Sequence, residues 1–307
     1  MQRKKVVLTG ATSFLGRGMA RELVKQGHEV VAIVRPNSRN AQGLESVEGL
    51  KIVRRDMSDC DGWTKEIRHA DWFVHFGWDG IGAEGRANPA IQARNVQDGL
   101  LCLNGALQLG CERFLFSGSQ AEYGPCSGQI TEETVCAPIL EYGKGKLEFL
   151  RQASEYAADK PIVYLHARIF SVYGEGDHPW ALVPSCVRAF CGGQKMELSS
   201  CEQKWNFLYL EDAAKALIAL LNAPDAHRYT VYNVAGDDTR PLRDFVEEMR
   251  KIAGGGEPRY GERKNAKEAV IGLDPSIERL QKITGWSPKV SFQDGIQKLV
   301  DLQEELT

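Results

Sequence analysis

The chain has 307 residues, a formal net charge of −3, 43% hydrophobic and 26% charged residues. That balance is ordinary for a globular protein with length for a substantial core, and it gives no reason to expect nucleic acid or an anionic membrane as partner. No apolar run approaches the roughly 20 residues that span a bilayer, and Met1-Gln-Arg-Lys-Lys5 leads to a glycine turn rather than a signal peptide, so a cytoplasmic protein is expected.

Short apolar runs at 6–8, 30–34, 72–74, 114–116 and 162–165 predict strands. They are β-branched and aromatic without clean alternation, as in strands buried on both faces of a parallel sheet. Helical patterns at 16–26, 88–109 and 144–156 lie between them. This rhythm predicts an α/β fold, a Rossmann-type doubly wound parallel sheet with ligand sites at the carboxyl ends of its strands. Beyond about Arg168 helices dominate, at 181–190, 211–221, 242–252 and 292–305, with loops rich in Gly and Pro. The expected organisation is a dinucleotide-binding domain over 1–168 and a smaller, partly interleaved substrate region over 169–307. A strand at 231–234, within about 229–236, is expected to return to the sheet. Eight cysteines lack C-x-x-C spacing and six histidines form no H-E-x-x-H or H-x-x-x-H arrangement, so free thiols and no metal site are expected.

The first strand ends in Thr9-Gly-Ala-Thr-Ser-Phe-Leu-Gly16. Gly10 permits a sharp turn, and Gly16 lets backbone approach a pyrophosphate or the neighbouring strand closely. Free N–H groups and the helix dipole then favour a diphosphate. Ser13 stands where a third glycine is usual and suits either a helix cap or a phosphate donor. The second strand ends at Arg35, followed by Pro36-Asn-Ser-Arg39. A carboxylate there would bind both ribose hydroxyls of NAD and repel the 2′-phosphate of NADP; an arginine does the opposite. Arg35, supported by Ser38 or Arg39, favours NADP(H) and leaves NAD(H) open. Asp56, after a third strand, suits acceptance from an adenine amino group or a helix cap.

Tyr142 and Lys146 lie four apart, preceded by Ser119. A phenol titrates near pH 10, and working near neutrality requires about 4 kcal/mol of preferential phenolate stabilisation. At i, i+4 the two side chains share a helix face, so Lys146 is expected to supply part of this from below the ring. Ser119 is expected to hydrogen-bond a substrate oxygen and share its proton with Tyr142. Tyr-x-x-x-Lys alone is frequent by chance; its weight comes from following a glycine turn and a serine-ended strand. Gly143 and Gly145 each weaken the helix by about 1 kcal/mol relative to alanine, which suggests a segment shaped by close approach of a ligand.

With these motifs the chain resembles the extended short-chain dehydrogenase/reductases, the NAD(P)-dependent sugar-nucleotide epimerase/dehydratase family. The likeness spans nearly the whole length: the glycine turn, Asp71-Trp-Phe-Val-His-Phe-Gly-Trp78, Phe116-Ser-Gly-Ser-Gln-Ala-Glu-Tyr-Gly124, Tyr142-Gly-Lys-Gly-Lys146, Arg168-Ile-Phe-Ser-Val-Tyr-Gly174, Trp205-Asn-Phe-Leu-Tyr-Leu-Glu-Asp212 and Pro258-Arg-Tyr-Gly261. The resemblance implies Ser119, Tyr142 and Lys146 as catalytic residues. It implies Gly10, Thr12, Ser13, Phe14, Leu15, Gly16, Arg35, Ser38, Arg39, Asp56, Met57, Phe76, Gly77, Lys146 and Phe170 at the cofactor. Gln120, Ser171, Trp205 and Arg259 are implied at a nucleotide-linked sugar.

Three departures narrow the reading. Dehydratases of the family carry acids directly after the catalytic Ser/Thr, where this chain has Gln120 and Ala121, so a 4,6-dehydratase is not expected. Arg35 replaces the acidic residue of the NAD-retaining epimerases. Trp205 stands where an arginine often meets the nucleotide phosphates, while Arg259 fits the other phosphate-binding arginine. Asn95, on the supporting helix, is given little role because exposed helical Asn is common. The expected activity is an NADP(H)-dependent reductase/dehydrogenase at C4 of a nucleotide-linked sugar. The alternatives are a 4-epimerase holding NAD(H) and a non-catalytic dinucleotide sensor or scaffold. By resemblance, a homodimer is expected through the helices at 88–109 and 144–156.

Overall fold

The structure, a computed structural model, describes residues 2–45, 47–228, 230–263 and 272–305. Its first part alternates strands and helices: β1 (Lys5–Thr9), α1 (Phe14–Lys25), β2 (Glu29–Val34), α2 (Gln42–Glu45), β3 (Leu50–Arg54), α3 (Cys60–Ile67), β4 (Trp72–His75), α4 (Ala83–Arg86), α5 (Pro89–Gln108), β5 (Arg113–Ser119), α6 (Glu141–Ala157) and β6 (Val163–Ile169). There follow β7 (Ser171–Tyr173), α7 (Leu182–Cys191), β8 (Lys195–Leu198), β9 (Lys204–Tyr209), α8 (Leu210–Asn222), β10 (Val231–Val234), β11 (Thr239–Pro241), α9 (Leu242–Ile252), β12 (Glu257–Tyr260), α10 (Glu278–Thr284) and α11 (Phe292–Glu305).

Seven parallel strands form the main sheet in the order β10-β6-β5-β4-β1-β2-β3. Val6, Val7 and Leu8 are each 0% exposed, and alternation divides them between two cores. Val6 and Leu8 join Met19, Leu23, Val74 and Leu217 on one face; Val7 joins Phe73, Phe114, Phe116 and Phe149 on the other. Each such side chain contributes about 1.5–3 kcal/mol by burial. The helix expected at 211–221 lies with α1 in the first of these layers rather than in the second region. β10 pairs with β6 at the sheet's edge, Val231 opposite His166.

A second core gathers Tyr173, Phe190, Phe245, Met249, Phe292 and Ile296 around α7, α9, α11 and a small sheet ordered β11-β9-β7. Beside it β12 pairs with β8. Two helix starts follow from their caps. Ser13 accepts from Gly16 N ahead of α1, and Asn88 accepts from Ala90 N and Ile91 N ahead of Pro89 at the head of α5. No helix of the described residues is long and apolar enough to cross a membrane.

Candidate active site

A cavity of about 490 Å³ opens at the carboxyl ends of β1, β2 and β4, where the strand order reverses between β1 and β4. Gly10, Thr12, Ser13, Phe14, Arg35, Asp56, Met57, Phe76 and Gly77 line it, so nine of the expected cofactor residues share one wall. Gly10 has φ +68, and a Cβ there would stand 2.5 Å from the carbonyl carbon of Phe76; only glycine fits. Gly16 does not line the cavity. A Cβ there would stand 2.1 Å from Gly10 O, so its smallness serves the turn itself. Leu15 packs into the core, and Ser38 heads a short 3-10 turn without a side-chain cap. The Arg39 side chain lies outside the described residues. Ser13 is the helix cap, its Oγ accepting from Gly16 N at 3.1 Å.

Asp56 is not a helix cap, since Asp59 caps α3; its carboxylate closes a local turn with Ser58 instead. Its Oδ1 accepts from Ser58 N at 3.0 Å and Ser58 Oγ at 2.7 Å, and these bonds hold its carboxyl below the ordinary value. Arg35 Nη1 meets Asp79 Oδ1 at 3.1 Å, so the cavity mouth carries a carboxylate beside the expected arginine. Sequence reasoning missed Arg17, Asp79, Arg94, Asp98 and Asp177 in this wall. Arg17 ties the mouth together, donating to Thr12 O at 2.9 Å and Gly176 O at 3.0 Å. Arg94 and Asp98, at i, i+4 on α5, carried a periodic signal that the glycine motif overshadowed.

Ser119, Tyr142 and Lys146 come together at the end of β5. Ser119 is 8% exposed and forms a capping box: its Oγ accepts from Ala121 N at 3.2 Å, and its N–H donates to Glu122 Oε1 at 2.8 Å. The Ser119 hydroxyl faces the Tyr142 phenol and favours its ionisation. Lys146, 2% exposed, donates from Nζ to Ser117 O at 2.7 Å. Its ammonium lies 4.1 Å over the ring of Trp78 and 4.4 Å over that of Phe116. Trp78 also lines the cavity and so joins it to this cluster.

Three expectations need correction. Lys146 is not the cation nearest the Tyr142 ring: its Nζ stands 5.6 Å from the ring centroid, while the Arg86 guanidinium lies over that ring at 4.4 Å. Burial pushes Tyr142 above its ordinary value, Arg86 and Ser119 pull it back, and Glu122 pushes it up. Burial also lowers the Lys146 ammonium to about 7, with Glu122 opposing. The helix glycines answer to protein rather than ligand. A Cβ on Gly143 would stand 2.4 Å from Ala121 O, and one on Gly145 3.1 Å from Gln92 Cβ. Asn95 is 2% exposed, not a surface residue, and exchanges two 2.9 Å hydrogen bonds with the Asp79 backbone.

Below Ser119 lies a charge network that sequence reasoning missed. Glu122, fully buried, accepts from Arg168 Nε at 2.8 Å and meets His166 Nε2 at 2.9 Å. Burial alone would raise its carboxyl; His166 and Arg168 together hold it at about 2. Of the expected substrate residues, Gln120 opens the 3-10 turn after Ser119 and Ser171 begins β7. Trp205 sits on β9 with its Nε1 buried and unpartnered among the described residues. Arg259, on β12, meets Glu257 at 3.2 Å and Glu262 at 3.9 Å, so it is already engaged. Phe170, expected at the cofactor, is 4% exposed and packs with Tyr123 and Ile130.

A nicotinamide dinucleotide fits this arrangement on a structural ground. The cavity begins at the head of α1, whose first turn presents backbone N–H groups, and runs along the crevice where the sheet reverses. The combination defines a dinucleotide-dependent enzyme of the Rossmann class. The chain belongs to the NAD dependent epimerase/dehydratase family, whose model matches residues 6–235. It is 23% identical to a dTDP-4-dehydro-6-deoxyglucose reductase of Escherichia coli, over 97% of each chain. The structure of UDP-glucose 4-epimerase from Thermotoga maritima superposes with a TM-score of 0.88 at 19% identity, covering 99% of this chain and 100% of that one. A UDP-glucuronic acid 4-epimerase from Bacillus cereus, solved in complex with NAD, gives 0.84 at 20% identity, covering 99% and 97%.

Proposed function

We propose that the protein transfers hydride at C4 of a nucleotide-linked sugar, with Ser119, Tyr142 and Lys146 as its catalytic residues. The supporting observation is their convergence at the end of β5, joined through Trp78 to the cavity at the strand reversal. When bound there, a nicotinamide dinucleotide supplies the hydride exchange. Tyr142 gives or takes the proton of the sugar oxygen, Ser119 orients that oxygen, and Lys146 holds positive charge beside them. Dehydration lacks an acid in place: Gln120 and Ala121 follow Ser119, and Glu122 is fully buried and bound by Arg168. Arg35 at the mouth supports NADP(H) and net reduction as the finer reading.

A second reading is a 4-epimerase that keeps NAD(H). It is supported by the Asp79 carboxylate beside Arg35, and by the two 4-epimerases above, one of them solved with NAD. As quaternary structure we infer a homodimer through α5 and α6, supported by the exposed Leu101 and Tyr156 on those helices. The purified protein is assayed by mass spectrometry for retained dinucleotide, then mixed with nucleotide-linked 4-keto sugars and NADPH or NADH. Net consumption of NADPH supports the reductase. Retained NAD with interconversion of 4-epimers and no net consumption supports the epimerase. Tyr142→Phe is expected to lower turnover about 10²–10⁴-fold with coenzyme affinity unchanged; an unchanged rate would remove Tyr142 from the mechanism.

A further inference from the structure

An arginine on a one-turn surface helix ordinarily extends into water, but Arg86 at the end of α4 does not. It is half-buried, its guanidinium lies 4.4 Å from the centroid of the Tyr142 ring, and its Nε is buried with no hydrogen-bond partner among the described residues. The loop before it is fastened at both ends. Asn95 exchanges its two hydrogen bonds with the Asp79 backbone, and Gln92 Nε2 donates to Gly85 O at 2.8 Å. Gln92 Oε1 accepts from Trp78 Nε1 at 2.7 Å, so one buried side chain sets both Trp78 and the residue preceding Arg86. The loop also folds onto itself: Gly80 has φ +69, and a Cβ on Gly85 would stand 2.3 Å from Gly80 Cα. The backbone that carries Arg86 is thus held in place, and its guanidinium lies over the Tyr142 ring.

We propose that Arg86 is the charge partner of the Tyr142 phenol, a positioning residue that stabilises the phenolate formed when Tyr142 gives up its proton. A cation over a neutral ring feels only the ring's quadrupole; over a phenolate it feels a full negative charge, so the attraction grows with ionisation. Among the described residues, no other cation facing Tyr142 stands as near its ring. Glu122, from the turn after β5, opposes ionisation, Ser119 is neutral, and Lys146, on the same helix, stands 5.6 Å from the ring centroid. A guanidinium keeps its charge throughout the folded range. Arg86 is then a second cation at the ring, beside a Lys146 that stands 5.6 Å from the ring centroid, donates to Ser117 O and lies over Trp78.

This inference rests on Tyr142 as the proton-exchanging group, but its test uses neither substrate nor coenzyme. A fluorinated tyrosine incorporated at position 142 brings the titration into the folded range, where ¹⁹F NMR follows that one ring. Arg86→Gln is expected to move its midpoint up by about 1–2 pH units. Arg86→Lys is expected to return at least half of the shift. An unmoved midpoint in a folded Arg86→Gln protein overturns the proposal. Equal shifts in both variants do so as well, because packing rather than charge would then be responsible. If the titration behaves as expected and Tyr142→Phe nevertheless keeps full turnover, the pairing stands and the functional reading falls.

Discussion

At the cavity mouth Arg35 meets Asp79 at 3.1 Å with 64% and 58% of their side chains exposed. Below Ser119, Arg168 meets Glu122 at 2.8 Å with 4% and 0% exposed. The chemistry of the two pairs is the same and their consequences are opposite. Water screens the first, so it contributes about 0–1 kcal/mol and either partner is free to turn to a ligand. The second has no water to fall back on, and each charge depends on the other. The mouth is therefore a place where a charge can be changed without disturbing the fold. The interior is a place where the fold dictates which groups are charged.

Breaking the interior pair tests this most severely. Glu122→Gln leaves Arg168 buried without a counter-charge and is expected to cost about 3–5 kcal/mol in denaturant unfolding. A loss under about 1 kcal/mol would show that Arg168 is satisfied elsewhere. Lys146→Met has the opposite sign. An unfolded lysine titrates near 10.4, whereas burial lowers this one to about 7. Below pH 7 the folded state bears the full cost of the buried ammonium. Between about 7 and 10 the unfolded chain holds more protons, so wild-type stability rises with pH. The variant is expected to be more stable by about 1–4 kcal/mol at pH 6, with the gap closing toward pH 10. A gap that ignores pH would mean that Lys146 does not titrate there. At the mouth, Arg35→Ala is expected to alter stability by no more than about 0.5 kcal/mol while lowering affinity for NADPH more than for NADH. Equal loss for both coenzymes would deprive Arg35 of a selective role.

What was legible follows the same division. Strands buried on both faces announce themselves as apolar runs, and 30–34 and 72–74 fall within β2 and β4. The helix expected at 88–109 matches α5 with its caps, because Asn88-Pro89 is a start signal with a mechanism. The glycine turn was legible because each special residue sits beside the next. The interior network was not. Glu122 lies 44 residues from His166 and 46 from Arg168, and they meet only because β5 and β6 are neighbours in register. Gly143 and Gly145 signalled a close approach without saying of what, and the partners proved to be Ala121 and Gln92. β7, β8, β9, β11 and β12 passed unseen: four of them are three or four residues long and partly exposed, with too little pattern to separate from loop, and β9 was read only as a motif of the substrate region.

The return of β10 to the sheet bears on how the protein is made. Its pairing with β6, and the Asn233 side chain that accepts from Tyr123 Oη at 2.6 Å and donates to Ile130 O at 3.3 Å and Ser276 O at 3.2 Å, come from residues synthesised long after β6. Until the ribosome has released that segment, β6 stays an open edge and the nascent sheet exposes unpaired backbone groups. An open edge of that kind is a template for pairing with other chains, and β10 is the strand that covers it.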